Sequence, residues 1–262
     1  MTKIAKVAIV GGTHGNEFSG IYAIRQYQAN PALIQRPSFE TSTLFANPEA
    51  HKANKRYLHS DLNRQFKNVD LANPALTNYE QSRAKVINDI LGPKGNAKTD
   101  LVIDLHNTTS NMGACLIMTQ AGAFYNQMAA YVKMKMPEAI ISRDEDHLAA
   151  EDHALMCTLG RYGVIVEVGP QSQSVLRQDV LEQMQQMTAH ILDFVELYNT
   201  QSLPELPKRT EAYLYLHSIK LPMNEKGERL GMVHKNVQEN DYHPIHPGDP
   251  IFTLFDGTEV PY

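Results

Sequence analysis

Two residues near the start of the chain, His14 and Glu17, have the types and spacing to hold one cation between them. They lie in AIVGGTHGNE, residues 8–17. An imidazole nitrogen and a carboxylate oxygen offered from one short segment suit a borderline-soft ion such as zinc. Residues three apart at the mouth of a helix also lie on one side of it. Gly12 and Gly15 lack the Cβ atoms that would crowd a metal or a substrate. Taken alone, H-x-x-E is equally the start of a helix with an acid in its first turn, so the rest of the chain has to decide. Two further polar residues stand near the ends of apolar runs: His106 in LVIDLHN (101–107) and Glu167 in VIVEVGP (164–170). A glutamate inside such a run is expensive to bury without a partner, which points to a functional role. Two His and one Glu leave a coordination position open, as catalytic zinc sites do. A non-ligating carboxylate nearby is what a metal hydrolase needs as general base. Asp104, two before His106 on the same strand face, is either an outer partner of that ring or a structural carboxylate.

A polar stretch, KRYLHSDLNRQF (55–66), has no clean strand or helix period. It is either a solvated connection or an anion-binding cluster built from Arg56, Asn63 and Arg64. The arginine fork donates two parallel hydrogen bonds to a carboxylate, and Asp61 is placed to hold one arginine.

The elements that must position these residues alternate. Residues 4–10 read as a buried strand ending at Gly-Gly, followed by a helix over 17–29. Residues 42–46 read as a strand, 77–91 as an amphipathic helix carrying Tyr79, Val86, Ile87, Ile90 and Leu91, and 101–107 as a strand buried on both faces. Further strands are expected at 113–119, 139–142 and 164–170, and helices at 122–136, 149–161 and 174–198. Strands alternating with helices predict an α/β fold, a mostly parallel mixed sheet with helices on both faces. His106 falls at the carboxyl end of a strand, where such sheets bind ligands. The stretch SLPELPKR (202–209) reads as a linker. After it AYLYLHSIKLP alternates, NEKGERLG resembles a hairpin turn and HPGDPIFTLFDG is turn-rich, so a smaller β domain is expected. The domains are placed at 1–203 and 204–262. His190, His243 and His246 are read as core, surface or turn residues and not as ligands.

Composition sets the outer limits. The 262 residues are 42% hydrophobic and 20% charged, with no Trp, as in folded soluble chains. A net charge of −5 gives no general footprint for nucleic acid. No apolar run approaches the roughly 20 residues that span a bilayer, and the N-terminus reads as a first strand rather than a signal peptide. Cys115 and Cys157 sit among apolar neighbours and read as free, buried thiols of a reducing cytoplasm. No internal repeat and no low-complexity tract is evident.

Taken together and in order, GGTHGNE, RYLHSDLNR, DLHNTTSNMG and VEVGPQ resemble the aspartoacylase family, zinc deacylases related to the carboxypeptidase A-type fold; HPGDPIFTLFDG extends the resemblance into the second domain. The resemblance implies one Zn2+ per chain held by His14, Glu17 and His106, with Glu167 as the catalytic glutamate. Arg56 matches the arginine that polarises the scissile carbonyl, while Asn63 and Arg64 match the pair that binds the substrate carboxylate. The implied reaction is hydrolysis of the amide of an N-acyl amino acid, with N-acetyl-L-aspartate as the leading substrate. Two departures bear on specificity. Aspartate-specific members carry an Arg about ten residues before the catalytic Glu, where this chain has Cys157. They also use a C-terminal Tyr that residues up to Tyr262 do not supply, so either the second domain is truncated or the pocket is completed differently. The alternatives are an aminoacylase-like deacylase of aromatic or S-conjugated amino acids, a zinc carboxypeptidase, or a binding protein that has lost catalysis. The resemblance further implies a small-molecule partner and a homo-oligomer, while the two cysteines give the expectation of a cytoplasmic location.

Overall fold

The computed structural model describes residues 2–143, 148 and 152–262. They divide into two compact units. The larger comprises Met1–Thr109 and Gly113–Tyr215; the smaller comprises Ser110–Met112 and Leu216–Tyr262.

The larger unit runs β1 (Lys6–Gly11), α1 (Phe18–Ala29), β2 (Glu40–Phe45), α2 (Pro48–Lys52), α3 (Asn68–Ala72), α4 (Tyr79–Leu91), β3 (Leu101–Asn107), β4 (Gly113–Met118), α5 (Ala123–Lys135), β5 (Ile140–Arg143), β6 (Tyr162–Gly169), α6 (Gln178–Asn199) and β7 (Tyr213–Leu214). The seven strands lie in the order β2-β1-β3-β6-β4-β5-β7. All neighbours are parallel except β4 and β6, which run antiparallel. The fold is therefore α/β with a mixed, mostly parallel sheet.

Apolar residues fill both faces of this sheet, as the continuous hydrophobic runs of its central strands require. On one face Ile9, Ile103, Leu105, Val164 and Val166 pack with residues of α1, α5 and α6. On the other, Ala8, Val10, Val102 and Ile165 pack with Ala84, Ile87 and Leu91 of α4 and with residues 155–159. Side chains alternate along a strand, so Asp104 and His106 share the second face with Val102. Glu167 shares it with Ile165.

Several elements differ from their sequence-based expectations. Residues 149–151 of the expected 149–161 helix lie outside the described residues, and Met156–Leu159 forms a single 3-10 turn. The reason is space: a Cβ on Gly163 of β6 would sit 2.3 Å from the carbonyl oxygen of Cys157, so the turn lies flat on the strand. In α4, Ile87 and Leu91 are buried, whereas Val86 and Ile90 are about half exposed. Of AYLYLHSIKLP only Tyr213–Leu214 forms a strand, and it joins the large sheet beside β5.

The smaller unit contains a three-stranded antiparallel sheet of β8 (Gly231–Val233), β9 (Pro250–Leu254) and β10 (Glu259–Pro261). Gly231, His234, Ile251 and Phe252 are buried in it. The NEKGERLG stretch is a tight turn closed by Asn224 N–H to Glu228 O at 2.9 Å and Gly227 N–H to Asn224 O at 3.0 Å. Cys115 and Cys157 are both buried and are not joined in a disulfide. Among the described residues no helix is long and apolar enough to cross a membrane.

Gly12 and Gly15 open space for protein rather than for a ligand. Gly12 holds φ at +70°, and a Cβ there would meet the ring of Phe45 at 2.5 Å. A Cβ on Gly15 would meet His51 N at 2.2 Å and Ala50 C at 2.3 Å, both backbone atoms of α2. Neither neighbour can rotate away. Gly15→Ala is therefore expected to cost about 2 kcal/mol or more, the upper part of the range for overpacking a tight contact. Chemical denaturation checks this, and an unchanged midpoint would contradict the contact.

Candidate metal centre

Three segments deliver the site. The turn after β1 carries His14 and Glu17, the end of β3 carries His106, and the end of β6 carries Glu167. Because β1, β3 and β6 are adjacent and parallel, their carboxyl ends come together. His106 and Glu167 are direct partners in the β3–β6 register.

His14, Glu17 and His106 are all buried, and one ligand atom from each lies within 4.8 Å of the others. The two rings face Glu17 in the same manner. His14 Nδ1 is 2.7 Å from Glu17 Oε1, and His106 Nδ1 is 2.8 Å from Oε2. Their far nitrogens each meet another carboxylate, His14 Nε2 at 2.9 Å from Asp61 Oδ1 and His106 Nε2 at 2.9 Å from Asp104 Oδ2. Thr13 Oγ1 donates to the second oxygen of Asp104 at 2.7 Å. Asp104 is thus the outer partner of His106, and Asp61 plays that part for His14, beyond its expected contact with an arginine.

This arrangement tests whether the residues fit a metal. A carboxylate on Nε2 fixes the proton there, which is how ligating imidazoles are usually oriented. Each Nδ1 then presents a lone pair to an oxygen that also has only lone pairs. The contacts are attractive only with a cation between them, either a proton on each ring or a metal. Formal charge agrees. Glu17, Asp61 and Asp104 contribute three negative charges, and Arg56 contributes one positive, leaving an excess of two. A divalent ion cancels it without two buried imidazolium rings. Two imidazoles and a carboxylate favour a zinc-like ion over calcium or magnesium, which prefer all-oxygen sites.

The electrostatics follow from the same contacts. Burial opposes charge on both rings. Asp61 and Glu17 nevertheless hold His14 above its ordinary value, and Asp104 and Glu17 hold His106 well above it. Burial would raise Glu17, but His106 and His14 bring it down to about 2. Glu167 goes the other way. Burial pushes its carboxyl up to about 7, with His106 pulling against the shift and Glu17 adding to it. One acid of the pair is ionised and the other poised near neutrality, the pattern of divided acid and base roles.

The 55–66 stretch folds over this face. Arg56, half exposed, donates to Glu17 Oε1 at 3.0 Å and reaches Asp61 Oδ2 at 3.4 Å. Asp61 then caps a short 3-10 turn, Leu62–Arg64, through the N–H of Asn63 at 2.9 Å. Asn63 is buried. Its Oδ1 accepts from Met156 N–H at 2.9 Å, and its Nδ2 lies 3.5 Å from His106 Nε2. A proton held on that nitrogen toward Asp104 would leave the Asn63 amide without an acceptor there. Arg64 stands apart: it is exposed and donates to the carbonyl of Asn63 at 2.9 Å. Cys157 is fully buried among Leu155, Met156, Leu159 and Ile165. His243 and His246 are exposed in turns, and His190 is partly buried in α6.

Glu80 of α4 is absent from the sequence-based list. It is fully buried and accepts from three successive backbone N–H groups, of Leu58, His59 and Ser60. In sequence it is an acid in a helix's first turn, a common and uninformative feature.

The comparisons with known proteins define the family. Residues 3–195 match the model of the succinylglutamate desuccinylase/aspartoacylase catalytic domain, and residues 208–262 match the AstE/AspA barrel-sandwich hybrid domain. The chain belongs to this family of hydrolytic enzymes. It is 38% identical to a probable aspartoacylase of Nostoc sp., over 100% of this chain and 88% of that one. It is 39% identical to the N-acyl-aromatic-L-amino acid amidohydrolase (carboxylate-forming) of Rattus norvegicus, over 99% of this chain and 82% of that one. Among solved structures, murine aminoacylase 3 superposes with a TM-score of 0.91 at 38% identity, covering 100% of this chain and 87% of that one. A metallo-carboxypeptidase from Burkholderia cenocepacia shares the fold at a TM-score of 0.50 and 14% identity, over 77% of this chain and 58% of that one.

The Glu167 shift has a signed consequence for stability. An unfolded glutamate titrates near 4.3; the folded group does so at about 7. Between those values the metal-free fold keeps a proton that the unfolded chain has lost, so this group's contribution to stability falls as pH rises through the window. Gln cannot ionise. Metal-free Glu167→Gln is therefore expected to melt above the wild type at pH 8, with the gap narrowing toward pH 5. Thermal denaturation of chelated protein at both pH values measures this. A lower melting temperature for the variant at pH 8 would contradict it.

Proposed function

We propose that this chain is a zinc-dependent deacylase that hydrolyses the amide bond of an N-acyl-L-amino acid, with N-acetyl-L-aspartate as the leading substrate and acetate and L-aspartate as products. The observation that carries this reading is the pair of imidazole Nδ1 atoms closing on the two oxygens of Glu17, with Glu167 beside them. The names of the relatives support the substrate class.

His14, Glu17 and His106 would hold one zinc ion per chain. When bound, such an ion lowers the pKa of a water ligand toward roughly 7 and polarises a carbonyl. Glu167 takes the proton of the attacking water as its oxygen bonds to the amide carbon. The same carboxyl returns that proton to the nitrogen as the C–N bond breaks, and the second water proton leaves the new carboxylic acid for the amine, so the products at neutral pH are a carboxylate and an ammonium. Desolvation suits Glu167 to both halves, since a group that titrates near the working pH accepts and releases a proton with little bias. Arg56 donates to the carbonyl oxygen as negative charge builds on it. A preorganised donor of this kind is worth about 3–4 kcal/mol, and Glu17 and Asp61 supply the preorganisation. The side-chain amide of Asn63 and the guanidinium of Arg64 receive the amino acid's α-carboxylate. Arg64 spends one donor on Asn63 O, and its fork offers others.

A second reading concerns the side chain of the substrate. Cys157, where aspartate-specific members carry an arginine, is buried and has no cationic group. It offers nothing to a second carboxylate, which favours neutral or aromatic N-acyl amino acids. A panel of N-acetyl-L-aspartate, N-acetyl-L-tyrosine and N-acetyl-L-methionine decides between them. The aspartate reading expects at least tenfold higher kcat/KM for the first; a preference for the others would overturn it and leave the deacylase reading standing. For the chemistry, Glu167→Gln is expected to keep one zinc per chain and lose about 10²–10⁴-fold in kcat, the usual worth of a general base. Near-normal turnover in that variant would remove the mechanism.

A further inference from the structure

The 55–66 loop carries Arg56 and Asp61, yet it has little regular structure of its own. Two anchors fix it. At one end Gly15 N–H donates to the carbonyl of Arg56 at 3.1 Å, next to His14. At the other, the side chain of Glu80 receives three consecutive N–H groups, Leu58 at 2.7 Å, His59 at 3.0 Å and Ser60 at 3.3 Å. Asn47 Nδ2 approaches the same carboxylate at 3.5 Å, and Ser60 Oγ adds a bond to Asn78 Oδ1 at 3.2 Å. Between and beside the anchors, the side chains of Arg56 and Asp61 reach the metal-ligating group.

The Glu80 carboxylate has an unusual set of partners. It is fully buried, and among the described residues the side chain that stands at ion-pair distance from it is the exposed imidazole of His59, whose Nδ1 is 3.7 Å from Oε2. Its charge is met by backbone dipoles: the three loop N–H groups and the start of α4, where Glu80 stands in the first turn after the Asn78 cap. Burial works to raise its pKa, and the N–H donors outweigh burial and hold it below the ordinary glutamate value. An ionised acceptor makes stronger bonds than a neutral one and is costly to leave half satisfied.

We propose that Glu80 is a positioning residue for the proposed reaction: its carboxylate, seated on the amides of residues 58–60, holds the loop so that Arg56 stands over Glu17 and the substrate carbonyl. This rests on the reading of Arg56 given above. Glu80 touches neither substrate nor metal and acts through the loop.

The test is Glu80→Gln in the full chain. The substitution keeps the shape and replaces one acceptor oxygen with an NH2, which faces donors and cannot bond them. Zinc content is expected to stay at one per chain, while kcat/KM toward the best N-acetyl amino acid falls about 10–100-fold, mostly in kcat. The cycle with Arg56→Ala separates positioning from general damage. In that background Glu80→Gln is expected to cost less than about threefold. A full 10–100-fold loss on top of Arg56→Ala would overturn the proposal. A second readout needs no activity: the Lys55 and Arg56 bonds should be cut faster by trypsin in folded Glu80→Gln than in the wild type, and equal rates would also overturn it. If Glu80→Gln does not fold, Glu80→Asp keeps the charge on a shorter arm, and an intermediate loss of about 3–10-fold is expected; wild-type activity there would count against the role. Should the wild type fail to deacylate any N-acetyl amino acid, the proposed function falls, and the trypsin comparison still decides the loop's dependence on Glu80.

Discussion

Lone pairs that face lone pairs govern this molecule. Two buried imidazoles each turn Nε2 to an aspartate and Nδ1 to a single glutamate, so that without a proton or a metal at each Nδ1 lone pairs would meet lone pairs. Such a cluster is stable only around added positive charge. Much of the surrounding structure serves this requirement. Thr13 fixes Asp104, Asp61 divides its two oxygens between His14 and Arg56, and Arg56 rests on Glu17. The same surroundings set Glu167 apart, because burial favours its neutral form while Glu17 remains ionised.

The sheet makes the cluster possible at small conformational cost. With β1, β3 and β6 side by side and parallel, their carboxyl ends form one rim. The strict alternation of a strand then sends Asp104, His106 and Glu167 to one face. That face is covered by α4, a thin 3-10 turn and the 55–66 loop, rather than by the thick helical layer of the other side. A substrate-sized region can therefore be built from loops there, while α1, α5 and α6 supply a well-packed core behind it. The closeness of backbone to backbone around Gly15 and Gly163 shows how little slack remains near the site.

Much of this was legible in the sequence because the relevant signals are strong. A carboxylate in VIVEVG and a histidine closing LVIDLHN break otherwise apolar runs, and such breaks are rarely tolerated without cause. The H-x-x-E turn gained meaning only beside them. What stayed hidden depends on contacts between distant segments. Asp61 looked like a partner for an arginine, and its bond to His14 spans 47 positions. Glu80 carries no local mark, since an acid in the first turn of a helix is ordinary, and its partners are backbone amides 20–22 residues earlier. The 149–161 stretch has helical composition, but in its described part, residues 152–161, Gly163 approaches Cys157 closely and the chain forms one 3-10 turn over Met156–Leu159. Val86 and Ile90 fit a helical apolar stripe, yet they face outward because α4 buries a narrower side.

The central claim is that one divalent ion completes the group formed by His14, Glu17 and His106. The most direct measurement is the anomalous scattering of a crystal of zinc-loaded protein, collected on both sides of the zinc absorption edge. The account predicts one strong peak per chain, within bonding distance of Nδ1 of both imidazoles and of a Glu17 oxygen. A peak at any other residues, or no peak at this site in zinc-loaded crystals, would contradict it.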